Sequence, residues 1–341
     1  MNVLYICSSL ERTGPSNQLL NIANNIKSDF DVTILTLKPE KSNSMRNDFS
    51  DFNIVFGYEL SFFYMLRFIR GFDIVHSQGI KADTLSALFS RKGISTLRNY
   101  PYEDYPALYG KLLGSCMAFF HFQILKMVKK RVTISASTRE KNQNKSGLKF
   151  ELIYNGVDTE RFHKKNSVKN KNLIECKEKY KKTFIYTGPL IERKNVTKLV
   201  SVMNNYPDYL LVILGGGPCL DDLKSHAKSN ILFLGNVDNV VDYLSLADVF
   251  IMFSKSEGFP NAVLEALSTG LPCILSNIPS HADVKEIMGD CITLIEEDDN
   301  KFIDNYLFDK DSNIANKAVK NLSAITMAGK YKEKYVELYN I

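Results

Sequence analysis

Short apolar or β-branched runs alternate with helix-patterned stretches along this chain, and the series occurs twice. Residues 2–7, 32–36, 54–56, 74–76, 94–97 and 132–134 make the first series. Residues 183–188, 210–214, 231–235, 249–252 and 273–275 make the second. Parallel strands buried on both faces read as such continuous apolar runs, and each needs a crossover, usually a helix, to reach the next. The alternation therefore predicts an α/β chain with two doubly wound units in tandem. At 341 residues the chain is too long for one typical core and suits two domains. A polar, Lys- and Asn-rich stretch over 163–182 reads as the surface crossover between them. Ligands of open α/β sheets sit beyond the carboxyl ends of the strands, so the expected site is a cleft between the two domains.

Six cysteines are scattered without a CxxC pair, and most fall in apolar runs. This reads as a reducing cytoplasm and no structural metal. The first seven residues lack the basic flank and length of a signal peptide and read as a buried strand.

Charge is uneven. Residues 1–150 carry 20 Lys/Arg against 12 Asp/Glu, whereas residues 151–341 carry 23 against 26. A basic first half suits an anionic partner. No nucleic-acid recognition motif is present, so an anionic membrane surface is the better candidate. Two runs bear on it. Residues 58–70 mix aromatics with Arg67 and Arg70 at helical spacing, and 112–125 is mostly apolar and leads into Lys126, Lys129, Lys130 and Arg131. The second falls short of the ~20 residues a spanning helix needs. Each run fits either an interfacial helix or a core helix with a basic end.

Two loops and one carboxylate pair could carry chemistry. Glu257 lies in a Gly-Phe-Pro turn, and Glu265 follows eight positions later in the helix that the turn starts. Pro260 suits the first helical position, and a helix start favours anions. The loop from Gly188 to Asn195 follows a strand and offers Arg193 and Lys194, adjacent cations suited to a diphosphate. The loop 8–18 contains Gly14 ahead of the first helix but is not GxGxxG, which gives a dinucleotide fold little support. Asn155-Gly156 is a turn signal only.

Together these segments resemble retaining glycosyltransferases of family 4, which have the GT-B fold. The resemblance rests on Asn155-Gly156-Val157-Asp158, Gly188 with Glu192-Arg193-Lys194-Asn195, Gly215-Gly216-Gly217-Pro218, Leu234-Gly235-Asn236-Val237, Ala247-Asp248 and the Glu257–Glu265 pair, in that order. The loop 13–18 and the segment 97–105 are similar to a subset that builds bacterial surface polysaccharides. The resemblance implies a first, acceptor-binding Rossmann-like domain over 1–162. A nucleotide-sugar-binding domain would follow over 163–325, then a helix at 326–341 returning to the first domain. It implies that Glu257 holds the donor sugar and that Gly258, Phe259, Pro260 and Asn261 line it. Glu265 would bind the ribose hydroxyls. Arg193 and Lys194 would hold the diphosphate beside Gly188, Gly235 and Val237 would face the base, and Gly14 would lie against the diphosphate.

One departure stands out. Many members place a His where this chain has Arg98, followed by Asn99; these two are the first-domain candidates. His76 ends another strand outside that motif and reads as a core or loop histidine.

The implied reaction moves a hexose or N-acetylhexosamine from a nucleotide-diphosphate sugar, UDP first among candidates, to a glycan or polyprenyl-diphosphate-linked acceptor. The anomeric configuration is retained. Arg193, Lys194 and Glu257 are the catalytic set. No cofactor and no metal are expected, since two cations meet the leaving group's charge and the Asp221-Asp222 and Asp298-Asp299 pairs read as helix-start acids. The expected location is cytoplasmic, with peripheral contact at the inner membrane face. A sugar-nucleotide epimerase or a phosphorylase would keep the fold and change the reaction. A non-catalytic nucleotide-sugar-binding partner would bind without transfer.

Overall fold

The computed structural model describes residues 1–40, 43–164, 171–301, 303 and 313–340. The chain forms two compact units, Met1–Gly156 with Ala324–Ile341, and Val157–Ser323.

The first unit runs β1 (Asn2–Cys7), α1 (Gly14–Ile26), β2 (Asp31–Thr36), β3 (Asn53–Phe56), α2 (Phe62–Arg70), β4 (Ile74–Ser77) and α3 (Ile80–Phe89). It continues with β5 (Gly93–Leu97), α4 (Pro101–Tyr109), α5 (Lys111–Met127), β6 (Lys130–Thr133), α6 (Ala136–Ser146) and β7 (Glu151–Leu152). Its sheet is parallel, in the order β3-β2-β1-β4-β5-β6-β7. Strand pleating divides the core. Val3, Tyr5 and Cys7 of β1 face one layer, with Leu19 and Ile22 of α1, while Leu4 and Ile6 face the other, with Ile69 of α2 and Ala82 of α3.

The second unit runs α7 (Lys171–Lys177), β8 (Lys182–Thr187), α8 (Val196–Met203), β9 (Tyr209–Leu214), α9 (Leu220–His226), β10 (Ile231–Gly235) and α10 (Val240–Leu246). Then follow β11 (Val249–Met252), α11 (Asn261–Ser268), β12 (Cys273–Ser276), α12 (Pro279–Met288), β13 (Ile292–Ile295) and α13 (Ile314–Leu322). Its parallel sheet has the order β10-β9-β8-β11-β12-β13. The unit's first and last residues, Val157 and Ser323, pair in an isolated bridge, so the chain enters and leaves it at one point.

The last helix, α14 (Ala324–Tyr339), packs in the first unit against α1. Tyr331, Tyr335 and Leu338 are buried in the first unit's core. Tyr335 Oη lies 2.6 Å from His76 Nδ1, and His76 Nε2 lies 2.8 Å from Thr96 Oγ1. His76 is thus a core histidine that ties β4 to β5 and α14. Burial and the nearby Arg98 hold its pKa well below the usual range.

Several local expectations shift. Pro260 is the N-cap of α11 rather than its first helical residue, with extended backbone at φ −83° and ψ 94°. Asp221 and Asp222 do lie in the first turn of α9, but Asp298 and Asp299 lie in a turn after β13, not at a helix start. Of the polar stretch 163–182, residues 165–170 lie outside the described residues, and Lys171–Lys177 is helical. Among the described residues no helix is long and apolar enough to cross a membrane.

Candidate active site

In the second unit β8 continues to β9 and β10 on one side, while β11, β12 and β13 extend the sheet on the other. The chain therefore reverses its direction of growth between β8 and β11, which creates a crevice at their carboxyl ends. The loop after β8 carries Arg193 and Lys194; the loop after β11 carries Glu257. Residues 63 positions apart meet there. Lys194 Nζ donates to Glu257 Oε1 at 2.5 Å, and Arg193 Nη1 donates to Glu257 Oε2 at 3.2 Å and to the Ser256 carbonyl at 2.5 Å. The Lys255 N–H donates to the Arg193 carbonyl at 2.8 Å, which ties the two loops through their backbones.

Lys194 and Glu257 are buried, with side chains 11% and 7% exposed, whereas Arg193 remains 46% exposed. Burial alone would raise the Glu257 carboxyl's pKa, but the Lys194 ammonium and the Arg193 guanidinium outweigh it and hold it below the ordinary value. Glu257 is therefore a carboxylate at neutral pH, suited to accept hydrogen bonds and unsuited to donate a proton.

Glu265 lies within α11 and does not join this triad. Its carboxyl has no hydrogen-bond partner among the described residues. Burial pushes its pKa up to about 7, and Arg161 opposes that only in part. A half-buried carboxyl in this state lacks the polar partners that would stabilise its charge.

Glycines shape the strand ends beside the triad. Gly188 has φ +150° and Gly215 has φ +131°. A methyl on Gly215 would stand 2.0 Å from the Gly188 carbonyl oxygen, so these two backbones cross where no side chain fits. The Gly215 N–H donates to the Gly235 carbonyl at 2.7 Å, joining the ends of β9 and β10. Val237, half-buried, follows in the loop to α10. Phe259 and Pro260 are buried, and Gly258 and Asn261 half-buried, in the turn into α11.

In the first unit the equivalent reversal lies between β1 and β4. Gly14 is the first residue of α1, after the N-cap Thr13, whose side chain accepts from the Ser16 N–H at 3.4 Å. Arg98 follows β5. Its Nε donates to Gln78 Oε1 at 3.1 Å and its Nη1 to Asn155 Oδ1 at 2.9 Å. These acceptors are neutral, and Nη2 is buried without a partner among the described residues. The guanidinium thus keeps its charge uncompensated at a strand end. Asn99 is exposed beside it. A cavity of about 380 Å3 at this end is lined by Ser9, Thr13, Gln78, Arg98, Asn99 and Tyr105, among others.

Two sets of links have no local signal in the sequence. Asn155-Gly156, a turn by sequence, contacts Arg98 through Asn155. The Gly156 N–H and C=O both bond to the Gln18 side chain, at 3.2 and 2.9 Å. The other is a chain of hydrogen bonds from Ser77 through Asp83 and His121 to Tyr105, residues that no short spacing connects. Among the described residues no cluster of three or more His, Cys, Asp or Glu could hold a metal ion.

The chain is similar to known glycosyltransferases in sequence and in fold. Residues 169–300 match the model of the glycosyl transferases group 1. An O-antigen biosynthesis glycosyltransferase, WclY, from Escherichia coli is 26% identical over 324 residues, covering 89% of this chain and 87% of that one. A UDP-Gal:alpha-D-GlcNAc-diphosphoundecaprenol alpha-1,3-galactosyltransferase from the same species is 28% identical over 308 residues, covering 81% and 78%. Among solved structures, Anabaena Alr3699/HepE in complex with UDP and glucose superposes with a TM-score of 0.84 at 13% identity, covering 98% of this chain and 99% of that one.

Proposed function

We propose that this chain, a GT-B glycosyltransferase of the bacterial surface-polysaccharide kind whose residues 169–300 form the group 1 domain, transfers a hexose or N-acetylhexosamine from a UDP-sugar with retention of configuration. The acceptor is a lipid-linked sugar diphosphate or a growing glycan. A relative that acts on a GlcNAc-diphosphoundecaprenol and a neighbour of like fold that holds UDP support these choices.

The Lys194–Glu257–Arg193 triad carries the reading. Two cations and one carboxylate converge at the reversal point of the donor-type sheet. Cleavage of a sugar–phosphate bond puts charge on the leaving diphosphate, and fixed cations meet that charge without reorganising. Arg193 and Lys194 take this role, so catalysis does not depend on a metal. Glu257, an ionised carboxylate, accepts from a hydroxyl of the donor sugar. Glu265 accepts from the two ribose hydroxyls, which supply the donors its carboxyl otherwise lacks. In a front-face reaction the leaving phosphate takes the acceptor's proton, and none of the three needs to act as acid or base. Arg98, which pairs with no carboxylate among the described residues, suits a phosphate or another anionic group of a substrate.

The first unit supplies a reason for membrane contact. On α2, Phe62, Phe63 and Tyr64 are exposed beside Arg67 and Arg70. On α4 and α5, Leu108, Tyr109, Leu112, Leu113, Phe119 and Phe120 are exposed, with Lys111, Lys126 and Lys129 nearby in sequence. Phe63 and Leu112 are 82% and 83% exposed. Helix α3 packs against both α2 and α5, so these side chains belong to one helical layer. Aromatic, aliphatic and cationic groups together suit an anionic lipid surface.

The decisive experiment incubates the protein with UDP-, GDP- and ADP-sugars and follows slow release of the nucleotide. Release from a UDP-sugar, lost in Lys194→Ala, supports the reading; release from none of them overturns it. Conversion of a nucleotide sugar to its epimer without any acceptor would establish the epimerase instead.

A further inference from the structure

The first unit holds a second built cluster of polar groups, and the donor reading leaves it unused. Tyr105 and His121 both line the 380 Å3 cavity at the carboxyl ends of β1, β4 and β5. Behind Tyr105, Oη lies 2.8 Å from His121 Nδ1, and His121 Nε2 lies 2.7 Å from Asp83 Oδ2. Ser77 Oγ donates to Asp83 Oδ1 at 2.6 Å. Ser77 and Asp83 are fully buried and His121 nearly so.

The direction of these bonds follows from what each group can do. An ionised carboxylate only accepts, so Nε2 of His121 carries a proton, and when that is the ring's only proton Nδ1 is bare. Nδ1 is then an acceptor, and the Tyr105 hydroxyl must donate to it. The tyrosine proton is committed inward, and its oxygen is left as an acceptor at the cavity wall.

A second observation fixes the same residue. A methyl on Gly114 would stand 2.3 Å from the Tyr105 carbonyl carbon and 2.4 Å from its oxygen, so α5 approaches α4 this closely only with glycine there. Gly114 and His121 stand two turns apart on one face of α5. One seats the Tyr105 backbone and the other its hydroxyl.

We propose that Tyr105 is an acceptor-recognition residue. Its oxygen accepts a hydrogen bond from a carbohydrate hydroxyl of the acceptor, and His121 and Asp83 are positioning residues that hold it in that polarity. The rest of the wall suits a polyhydroxylated ligand, since Ser9, Gln78, Asn99 and Asp104 also line the cavity. This inference rests on the glycosyl-transfer reading above.

The test begins with binding. In the full chain labelled at the tyrosine 13Cζ, an N-acetylglucosamine diphosphate carrying a short lipid tail is titrated in. A resonance that moves in the wild type and is missing in Tyr105→Phe supports the proposal; no movement of that resonance overturns it. Kinetics with the same acceptor follow. Tyr105→Phe keeps the ring and the Gly114 contact, and acceptor KM is expected to rise about tenfold with kcat within about threefold, as for one lost hydrogen bond. Asp83→Asn presents a donor to His121 Nε2, moves the imidazole proton to Nδ1 and turns Tyr105 from acceptor to donor. An 15N spectrum of His121 reads that exchange. A comparable rise in acceptor KM supports the positioning role, and an unchanged KM with the tautomer exchanged overturns it. Absence of nucleotide release by the wild type from any donor would instead sink the glycosyl-transfer reading, while the titration still decides the role of Tyr105.

Discussion

Lys194 Nζ lies 2.5 Å from Glu257 Oε1, and both side chains are buried. They meet because β8 and β11 are neighbours in the sheet though remote in the chain. Before any donor binds, the carboxylate neutralises the cation that a diphosphate would use. The cation thus keeps the carboxylate ionised, and the pairing places both groups in a site where an isolated ion would be costly.

Removing the cation therefore has two effects. In Lys194→Ala, the longer, more exposed pairing with Arg193 is the cation contact left to Glu257 among the described residues. Stability of the second unit is expected to fall by about 3 kcal/mol, as for a broken buried pair. Donor turnover should fall about 10²- to 10³-fold if Lys194 meets the leaving group's charge. Urea denaturation and single-turnover assays measure the two separately. A rate within about threefold of wild type would remove Lys194 from the catalytic set.

Glu265 should make nucleotide binding depend on pH. Its carboxyl is raised to about 7, and the form that accepts two ribose hydroxyls best is the ionised one. Binding must then release a proton below about pH 7, so UDP affinity should rise with pH and level off above it. The same raised pKa costs stability in the free protein as pH climbs from about 4.5 to about 7, because the unfolded chain gives up this proton more readily. Glu265→Gln should weaken UDP about tenfold and flatten the profile, measured calorimetrically from pH 5.5 to 8.5. A mutant profile as steep as wild type's would assign the titration to another group.

Much of this architecture was legible in the sequence for a physical reason. Central parallel strands are buried on both faces, so β1, β8, β9 and β11 stand out as apolar runs. β7 has two residues at a sheet edge, one of them Glu151, and leaves no such run. The cations of the 188–195 loop and the carboxylates of 257–265 were legible as residue types at strand and helix ends. Their pairing was not, for nothing local links Lys194 to Glu257. Asp83 with His121, and Arg98 with Asn155, were hidden for the same reason: sheet order, not spacing, brings them together.

His281 gives the second unit an acid limit. Burial pushes its imidazole down to about 4, against an unfolded value near 6.5, although the Ser276 carbonyl bond and the Glu257 charge oppose this. The unfolded chain binds this proton first, so the stabilising effect is complete above about pH 6.5 and is lost as pH falls toward 4. Two to three pKa units amount to roughly 3 kcal/mol. Glu265 opposes this over about pH 4.5 to 7, so the effect is read as a difference: the thermal unfolding temperature of the wild type should fall relative to that of His281→Gln as pH drops through this window. An unaltered difference would place the acid sensitivity elsewhere, with His76 the next residue to test.

The exposed side chains of α2 and α5 predict salt-sensitive membrane binding. Burying one large apolar side chain contributes about 1.5–3 kcal/mol, and each cation near an anionic surface adds about 1 kcal/mol. Phe63→Ser with Leu112→Ser removes two side chains that the fold leaves in solvent, so stability should change by less than about 0.5 kcal/mol. Co-flotation of the wild type with vesicles of anionic phospholipid is expected at low salt and should decline as salt screens Arg67, Arg70, Lys126 and Lys129. The double variant should lose more than about tenfold of that binding. Equal flotation of variant and wild type would show that these helices do not touch the lipid. Wild-type flotation unaffected by salt would remove the basic groups from the contact and leave only the apolar ones.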